Sequence, residues 1–280
     1  MRRGHCAVVA AGVVGFLLAA IVPARAGQYS LGIVPQFEQR KLYAIWKPIV
    51  EELERRTGLT FDLNTTLQVP DFEKEFLAGR FDFVYMNPYF VIKTAKTLGY
   101  VPLVRDREPV RGILVTRKDG PVRKIEDLAG TKVAFPTPNA PGGCMLMRAE
   151  LKRSFGVAVD PLYVKTASNV YLHVVKGLAV AGGVPDKTFG VQDAAVRDLL
   201  QVLHTTQPLP PHPVAAHPRV GSADREKVRT ALLAMAADPV GRELLAKVPI
   251  KDAVPASLEE YRAMAELGLD EFADPGWKEE

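Results

Sequence analysis

Residues 133–151, VAFPTPNAPGGCMLMRAEL, carry a short apolar strand through a proline and glycine loop into an amphipathic helix. Backbone N–H groups at a helix start have no partner inside the helix and sit at the positive end of its dipole. Asn139, Ala140, Pro141, Gly142 and Gly143 therefore frame a place suited to a small anion. The chemistry on offer is capture of negative charge. An ordinary helix-capping turn would use the same residues. No Ser or Thr hydroxyl stands between Asn139 and Cys144.

A second chemistry is conceivable at Cys144, where a helix start could lower the thiol pKa and His173 or His212 could pair with it. The simpler reading is a small buried side chain at the helix base. His212 and His217 are five apart in a proline-rich extended stretch, which points their rings to opposite faces and fits no zinc pattern. Glu51, Glu52, Glu54, Arg55 and Arg56 read as the wet face of a helix. No phosphate-binding Walker loop, Gly-x-Ser-x-Gly elbow or dinucleotide fingerprint occurs. The expectation is a protein without metal or cofactor and without catalysis.

The elements that position the loop follow from periodicity. Tyr29 to Val34 reads as a strand, and Leu42, Ile45, Trp46, Ile49, Val50 and Leu53 recur at helical spacing up to Gly58. Thr60 to Leu63 is a second strand, Asp71 the expected cap of a helix to Leu77, and Phe81 to Met86 a third strand. Asn87-Pro88 then opens another helix with an N-cap and an N1 proline. The alternation predicts a parallel sheet. It starts again with strands at 112–116, 133–135, 161–164, 179–182 and 200–204 and helices at 144–155, 169–176 and 192–199. Prolines 208, 210, 211 and 213 make the stretch to Pro218 extended, and helices are expected at 222–236, at 240–245 and after the capping box of Ser257 and Glu260. Two α/β units joined by crossovers near 110–117 and 208–218 leave a cleft between them. Ligands bind at strand carboxyl ends in such sheets, so the helix starts at Gln36-Phe37, Asn87-Pro88, Ala140 to Gly143 and Ser168-Asn169 are expected to converge there.

Arg2 and Arg3, an uncharged run from Ala7 to Val22 and the small residues Ala24 and Ala26 have the form of a secretory signal cut after Ala26. An uncleaved anchor is the competing reading. Cleavage removes Arg2, Arg3 and Arg25 from the 36 basic residues and none of the 32 acidic ones, leaving a nearly neutral chain with no basic surface for nucleic acid. It also leaves Cys144 alone, so no internal disulfide can form.

Taken in order, the strand ending Val34-Pro35-Gln36, VPDF at 69–72, FDFVYMNP at 81–88, GILVTRKDG at 112–120, IEDLAGTKVAFP at 125–136 and NVYLHVVKGLAVAGGVPDKTF at 169–189 resemble the periplasmic binding proteins of phosphate, phosphite and phosphonate ABC transporters. The resemblance spans nearly all of the chain after residue 26 and rests on the order and spacing of these segments. It implies an α/β, type II periplasmic binding protein fold, two lobes joined by two crossover strands with a ligand cleft between them. It also implies a periplasmic protein, expected to act as a monomer, that delivers a small anionic ligand to an inner-membrane ABC permease. The expected division is a signal peptide at 1–26, lobe 1 at 27–113 plus 214–280, and lobe 2 at 114–213. A sensory module feeding a membrane receptor is the alternative, and a secreted thiol enzyme using Cys144 a remote one.

The chain departs from the family where the ligand is held. Relatives carry Ser-Thr-Ser-Gly where this chain has Ala140-Pro141-Gly142-Gly143, a Tyr at Phe72 and a His at Ala167. A hydrogen bond to a charged group is worth about 1.5 to 3 kcal/mol, so three missing hydroxyls are expected to weaken phosphonate binding by orders of magnitude unless other donors replace them. Arg111 reads as a bidentate anion partner or a solvated hinge charge. His212 reads as a cleft residue or a polar turn between prolines. Asp186, with Lys187, is a cleft charge or a helix-start charge, and Tyr85 and Asn87 belong to a strand end and cap that face the cleft or only shape it. With Gln36, Ser168 and Asn169 these complete the expected site.

Overall fold

The structure is a computed structural model and describes, besides Met1, residues 27–66, 69–248 and 250–273. The expected signal peptide thus lies, past Met1, outside the described residues. Strand β1 (Gln28–Ile33) leads to helix α1 (Gln39–Thr57), which buries Leu42, Trp46, Ile49, Val50 and Leu53 as their spacing requires. Its start is closed by Glu38, whose carboxylate accepts from the N–H groups of Arg40 and Lys41, and Gly58 ends it at a φ of 68°. β2 (Thr60–Thr65), α2 (Val69–Leu77), β3 (Phe83–Tyr85) and α3 (Pro88–Lys93) follow. α2 starts two residues before the expected cap, which puts Asp71 in its first turn. Asn87 caps α3 through its side chain, with Pro88 in the first turn.

β4 (Val101–Asp106), which the periodicity did not reveal, precedes β5 (Gly112–Arg117), a 3₁₀ turn at Ile125–Leu128 and β6 (Lys132–Phe135). The glycine loop then forms a π-turn, Pro141–Leu146, that runs into α4 (Met147–Phe155). β7 (Asp160–Tyr163), α5 (Ala167–Val175), β8 (Ala181–Pro185), the short helices α6 (Asp186–Phe189) and α7 (Ala194–Arg197), and β9 (Leu200–Thr205) complete the middle of the chain. It returns through β10 (Val214–Ala216) to α8 (Ser222–Ala237), α9 (Pro239–Leu245), β11 (Ala253–Pro255) and 3₁₀ segments at Leu258–Leu267 and Leu269–Phe272. No helix among the described residues is long and apolar enough to cross a membrane.

The strands form two sheets, ordered β11-β4-β10-β3-β1-β2 and β7-β6-β8-β5-β9. Neither is wholly parallel as expected. β1 pairs parallel with β2 and β3, but the returning chain lays β10 antiparallel between β3 and β4, and β5 runs antiparallel to β8 and β9. Both reversals belong to strands entered from the crossovers, where the chain changes lobe. Val110 and Leu209 pair across the two crossovers.

Each sheet is covered on both faces. In β5, Ile113 and Val115 join the cluster under α5, while Leu114 joins Val133, Phe135, Met147 and Leu151 under α4. α8 and α9 pack back on α1, as expected of the C-terminal helices. The lobes touch: Met145, Leu146 and Ala149 of lobe 2 belong to the buried cluster of lobe 1. The last 3₁₀ segment adds a further link. Asp270 accepts from the Tyr89 hydroxyl and lies 3.4 Å from Lys93, both on α3, while Glu271 meets Lys152 and Arg153 of α4 at 2.5 and 3.2 Å.

Candidate ligand cleft

A cavity of about 50 Å³ lies between the lobes. It has room for a few water-sized groups, hence for a ligand of a handful of non-hydrogen atoms. Lobe 1 lines it with Val34, Pro35, Gln36, Val69 and Asn87, and lobe 2 with Pro136, Thr137, Ala140 to Gly143, Ala167, Pro185 and Thr188, while Val110 and His212 close it from the crossovers. Val34, Asn87, Pro136 and Pro185 each stand at or just past a strand's carboxyl end, the edge where such sheets bind ligands. Larger grooves of about 540, 370 and 360 Å³ lie elsewhere, the last of them beside Asp106 and Lys187, but among these the glycine turn and the start of α5 line the small cleft alone.

The glycine loop is built from both sides. Cys144 N–H and Met145 N–H both donate to the Ala140 carbonyl, at 3.0 and 2.9 Å, which widens the first turn. Gly142 and Gly143 N–H have no acceptor among the described residues, as their place at the start of a helix dictates. Their glycine character also answers to packing. A Cβ on Gly143 would stand 2.9 Å from Val184 Cα, and one on Gly183 of β8 would stand 2.1 Å from the Gly143 carbonyl oxygen. The turn is pressed backbone to backbone onto β5 and β8.

Of the residues expected at the site, Gln36, Asn87, Ala140, Gly142, Gly143 and His212 line the cavity. Asn87 spans the lobes: its Oδ1 accepts from Tyr89 N–H at 3.1 Å and its Nδ2 donates to the Asn139 carbonyl at 3.0 Å. The remaining expected residues stand behind the lining. Asn139 is buried, with its Nδ2 3.4 Å from Glu73 Oε2. Tyr85 is buried and stacks on His212 with ring centroids 5.6 Å apart. Its oxygen lies by the Gln36 side chain but closes no hydrogen bond of normal geometry among the described residues.

Phe72 belongs to the lobe 1 core, stacked on Phe81 and Phe76 at 5.5 and 6.1 Å. Arg111 donates to the Thr206 carbonyl at 3.2 Å, and Asp186 accepts from the backbone N–H groups of Arg111 and Lys187 at 3.2 and 2.8 Å. These two therefore tie the crossover together. Ser168 and Asn169 lie inside the first turn of α5, since Thr166 caps it by accepting from Asn169 N–H at 3.1 Å; Ala167 is the residue at the cavity.

Two hydroxyl-bearing residues outside the expected set line the cleft, Thr137 and Thr188. Thr137 follows Pro136 just past the end of β6, where the strand-end rule places ligand contacts, four residues before the helical turn begins at Pro141. Thr188 was not legible, because β8 runs past Gly182 to Pro185 and a short helix, α6, follows at once. Its hydroxyl donates to the Pro185 carbonyl at 2.6 Å and shares a hydrogen bond with Tyr171 at 2.8 Å.

Among the described residues no Asp, Glu, Lys or Arg lines the cavity. Burial, and next the Lys187 charge, push the His212 imidazole down to about 3, so it is neutral in the working pH range. The folded protein then refuses a proton that the unfolded chain accepts near pH 6.5. This contribution to stability is fully present above about pH 6.5 and is lost as pH falls towards 3, at about 1.4 kcal/mol per pH unit. Denaturant unfolding at pH 7 and pH 5 is expected to show a loss of about 2 kcal/mol that is absent in His212→Asn; an equal loss in both proteins would assign the acid sensitivity elsewhere.

Cys144 is fully buried, and burial pushes its thiol up to about 12 against the smaller lowering effects of Arg148 and Tyr163. A thiolate nucleophile is therefore scarce at neutral pH. No cluster of three or more His, Cys, Asp or Glu suited to a metal ion occurs among the described residues.

Comparison with known structures gives the same two-lobed fold. The binding protein component of an ABC phosphonate transporter from Pseudomonas aeruginosa is 12% identical, with a TM-score of 0.79 over 86% of this chain and 85% of that one. A Prochlorococcus marinus protein in complex with methylphosphonate is 13% identical, with a TM-score of 0.77 over 87% of this chain and 97% of that one. A Xanthomonas citri protein bound to a chloride ion is 19% identical, with a TM-score of 0.65 over 88% and 98% of the two chains. Sequence comparison with curated proteins gives no match. The profile described as ABC transporter, phosphonate, periplasmic substrate-binding protein matches residues 31–261. The chain belongs to that family of periplasmic substrate-binding proteins.

Proposed function

We propose that this protein captures one small oxyanion, of the phosphonate or phosphate type, by closing its two lobes, and presents the closed form to an inner-membrane ABC permease. It works in the periplasm as a monomer after loss of residues 1–26, and it makes and breaks no bonds. The reading divides the chain at 27–113 plus 214–280 and at 114–213, and it is supported by the separate sheets, β5 entering the second and β10 returning to the first. The ligand is met by Gln36, Asn87, Ala140, Gly142, Gly143 and His212, while Phe72, Tyr85, Arg111, Asn139, Ser168, Asn169 and Asp186 hold these in place. The observation that carries the proposal is the small cavity lined by both lobes, with Gly142 and Gly143 at its helix start.

A ligand that binds only the folded form stabilises it by mass action, by about 2.7 kcal/mol at a hundred times its dissociation constant. Thermal-shift measurements are therefore expected to show a rise of several degrees with methylphosphonate or phosphate and none with arginine or glutamine. A rise with the amino acids alone would replace oxyanion capture by amino-acid capture.

A further inference from the structure

Building on the oxyanion reading, we infer that the cleft binds its ligand in the singly charged form and that the Thr137 hydroxyl, buried at the cavity wall without a protein partner, is the group that fixes it. Thr137 is 2% exposed and lines the cavity, and its hydroxyl has no hydrogen bond among the described residues. A hydroxyl without a protein partner keeps a donor and an acceptor to offer, and here the cavity is the open side.

The charge inventory sets the ligand's ionisation. Neither Arg111 nor Lys187 lines the cavity, and each stands beside a carboxylate: Arg111 donates to the Thr206 carbonyl while Asp186 accepts from its backbone N–H, and Lys187 meets the Asp106 carboxylate and the Glu108 carbonyl. His212 carries no charge at neutral pH, and its ring makes no hydrogen bond among the described residues. In the lining itself the positive ends are the starts of two helical segments, the π-turn running into α4 and the start of α5 at Ala167. Each contributes the equivalent of about half an elementary charge. Together they balance one negative charge and leave a second uncompensated in a closed space, where desolvation is expensive.

The polar groups agree with this count. A singly charged phosphorus oxyacid that still holds a proton brings a donor as well as acceptors. Gly142 N–H, Gly143 N–H and the Thr137 hydroxyl donate to its charged oxygens, while a His212 ring nitrogen can accept its O–H. Val34, Val69, Val110 and Ala140 give the wall an apolar part that suits a P–C or P–H corner.

Calorimetric titration from about pH 5.5 to about pH 8.5 tests this, with methylphosphonate, which loses a second proton near neutrality, and hypophosphite, which has only one to lose. Affinity for methylphosphonate is expected to fall about tenfold per pH unit above its second ionisation, while that for hypophosphite stays level. Affinity that instead rises up to that ionisation and then levels would mean that the doubly charged form binds, and would overturn the inference while leaving oxyanion capture intact. No heat with either anion at any pH would remove the capture reading itself and this inference with it. Thr137→Val is expected to weaken both anions about 10- to 100-fold without shifting the melting temperature of the unliganded protein, and Thr137→Ser to bind as the wild type does. Unchanged affinity in Thr137→Val would reject the role of this hydroxyl.

Discussion

Gly183→Ala is expected to lower the melting temperature by about 10 °C and to abolish ligand binding. Its Cβ would stand 2.1 Å from the Gly143 carbonyl oxygen and 2.5 Å from Phe135 Cε1, and neither can yield cheaply. Phe135 is fully buried, and the carbonyl belongs to the turn that lines the cleft. Overpacking of this kind costs about 3 kcal/mol when backbone must move, and the movement displaces the N–H groups that face the ligand. Gly190→Ala supplies the comparison. Nothing lies within 4 Å of its Cβ, and its φ of −63° suits any residue, so that variant should melt with the wild type. Calorimetry on the two variants checks the pair; equal melting temperatures for Gly183→Ala and the wild type would mean that the turn is not seated on β8 as described.

Lys187→Met should destabilise the protein by about 3 to 5 kcal/mol. The Lys187 ammonium on α6 of lobe 2 meets the Asp106 carboxylate on β4 of lobe 1, with side-chain exposures of 17% and 1%. It also donates to the Glu108 carbonyl at 2.8 Å. Methionine keeps the length of the stem and removes the charge, leaving a buried carboxylate whose remaining hydrogen bond among the described residues is from Asp252 N–H at 3.1 Å. Removing the second charge as well should recover much of the loss, because a buried pair contributes less net stability than breaking it destroys. Denaturant unfolding of Lys187→Met and of Lys187→Met with Asp106→Asn measures both terms. A double variant no more stable than Lys187→Met would show that the pair is not coupled.

The sequence was informative wherever structure is decided by neighbours along the chain. α1 follows from the spacing of Leu42 to Leu53 and the stop at Gly58, α3 from Asn87-Pro88, and the capping box of Ser257 and Glu260 from their separation of three. β4 and β11 escaped because their partners come from far along the chain, β4 pairing with β10 and with β11. The glycine loop was legible as a helix start, but its tight seat on β5 and β8 was not, since those strands meet it only in three dimensions. The same distinction runs through the cleft. Gln36, Asn87, Gly142, Gly143 and His212 sit at turns that the chain announces, whereas Arg111 looks like an anion partner and Asp186 like a cleft charge until their crossover contacts are seen.

The loop that lacks the Ser-Thr-Ser hydroxyls has a hydroxyl close by. Thr137 brings a hydroxyl without a protein partner to the cavity from a strand end, whereas the Thr188 hydroxyl on α6 is taken up by the Pro185 carbonyl and Tyr171. The central claim, that the ligand lies between the lobes, is tested most directly by a crystal structure of the protein grown with methylphosphonate, with its phosphorus located by anomalous scattering. The account predicts one phosphorus in the cleft, with ligand oxygens at hydrogen-bond distance from Gly142 N–H, Gly143 N–H and the Thr137 hydroxyl. Phosphorus found instead in the groove beside Tyr100 and Arg225, with the cleft unoccupied at saturating ligand, would contradict it.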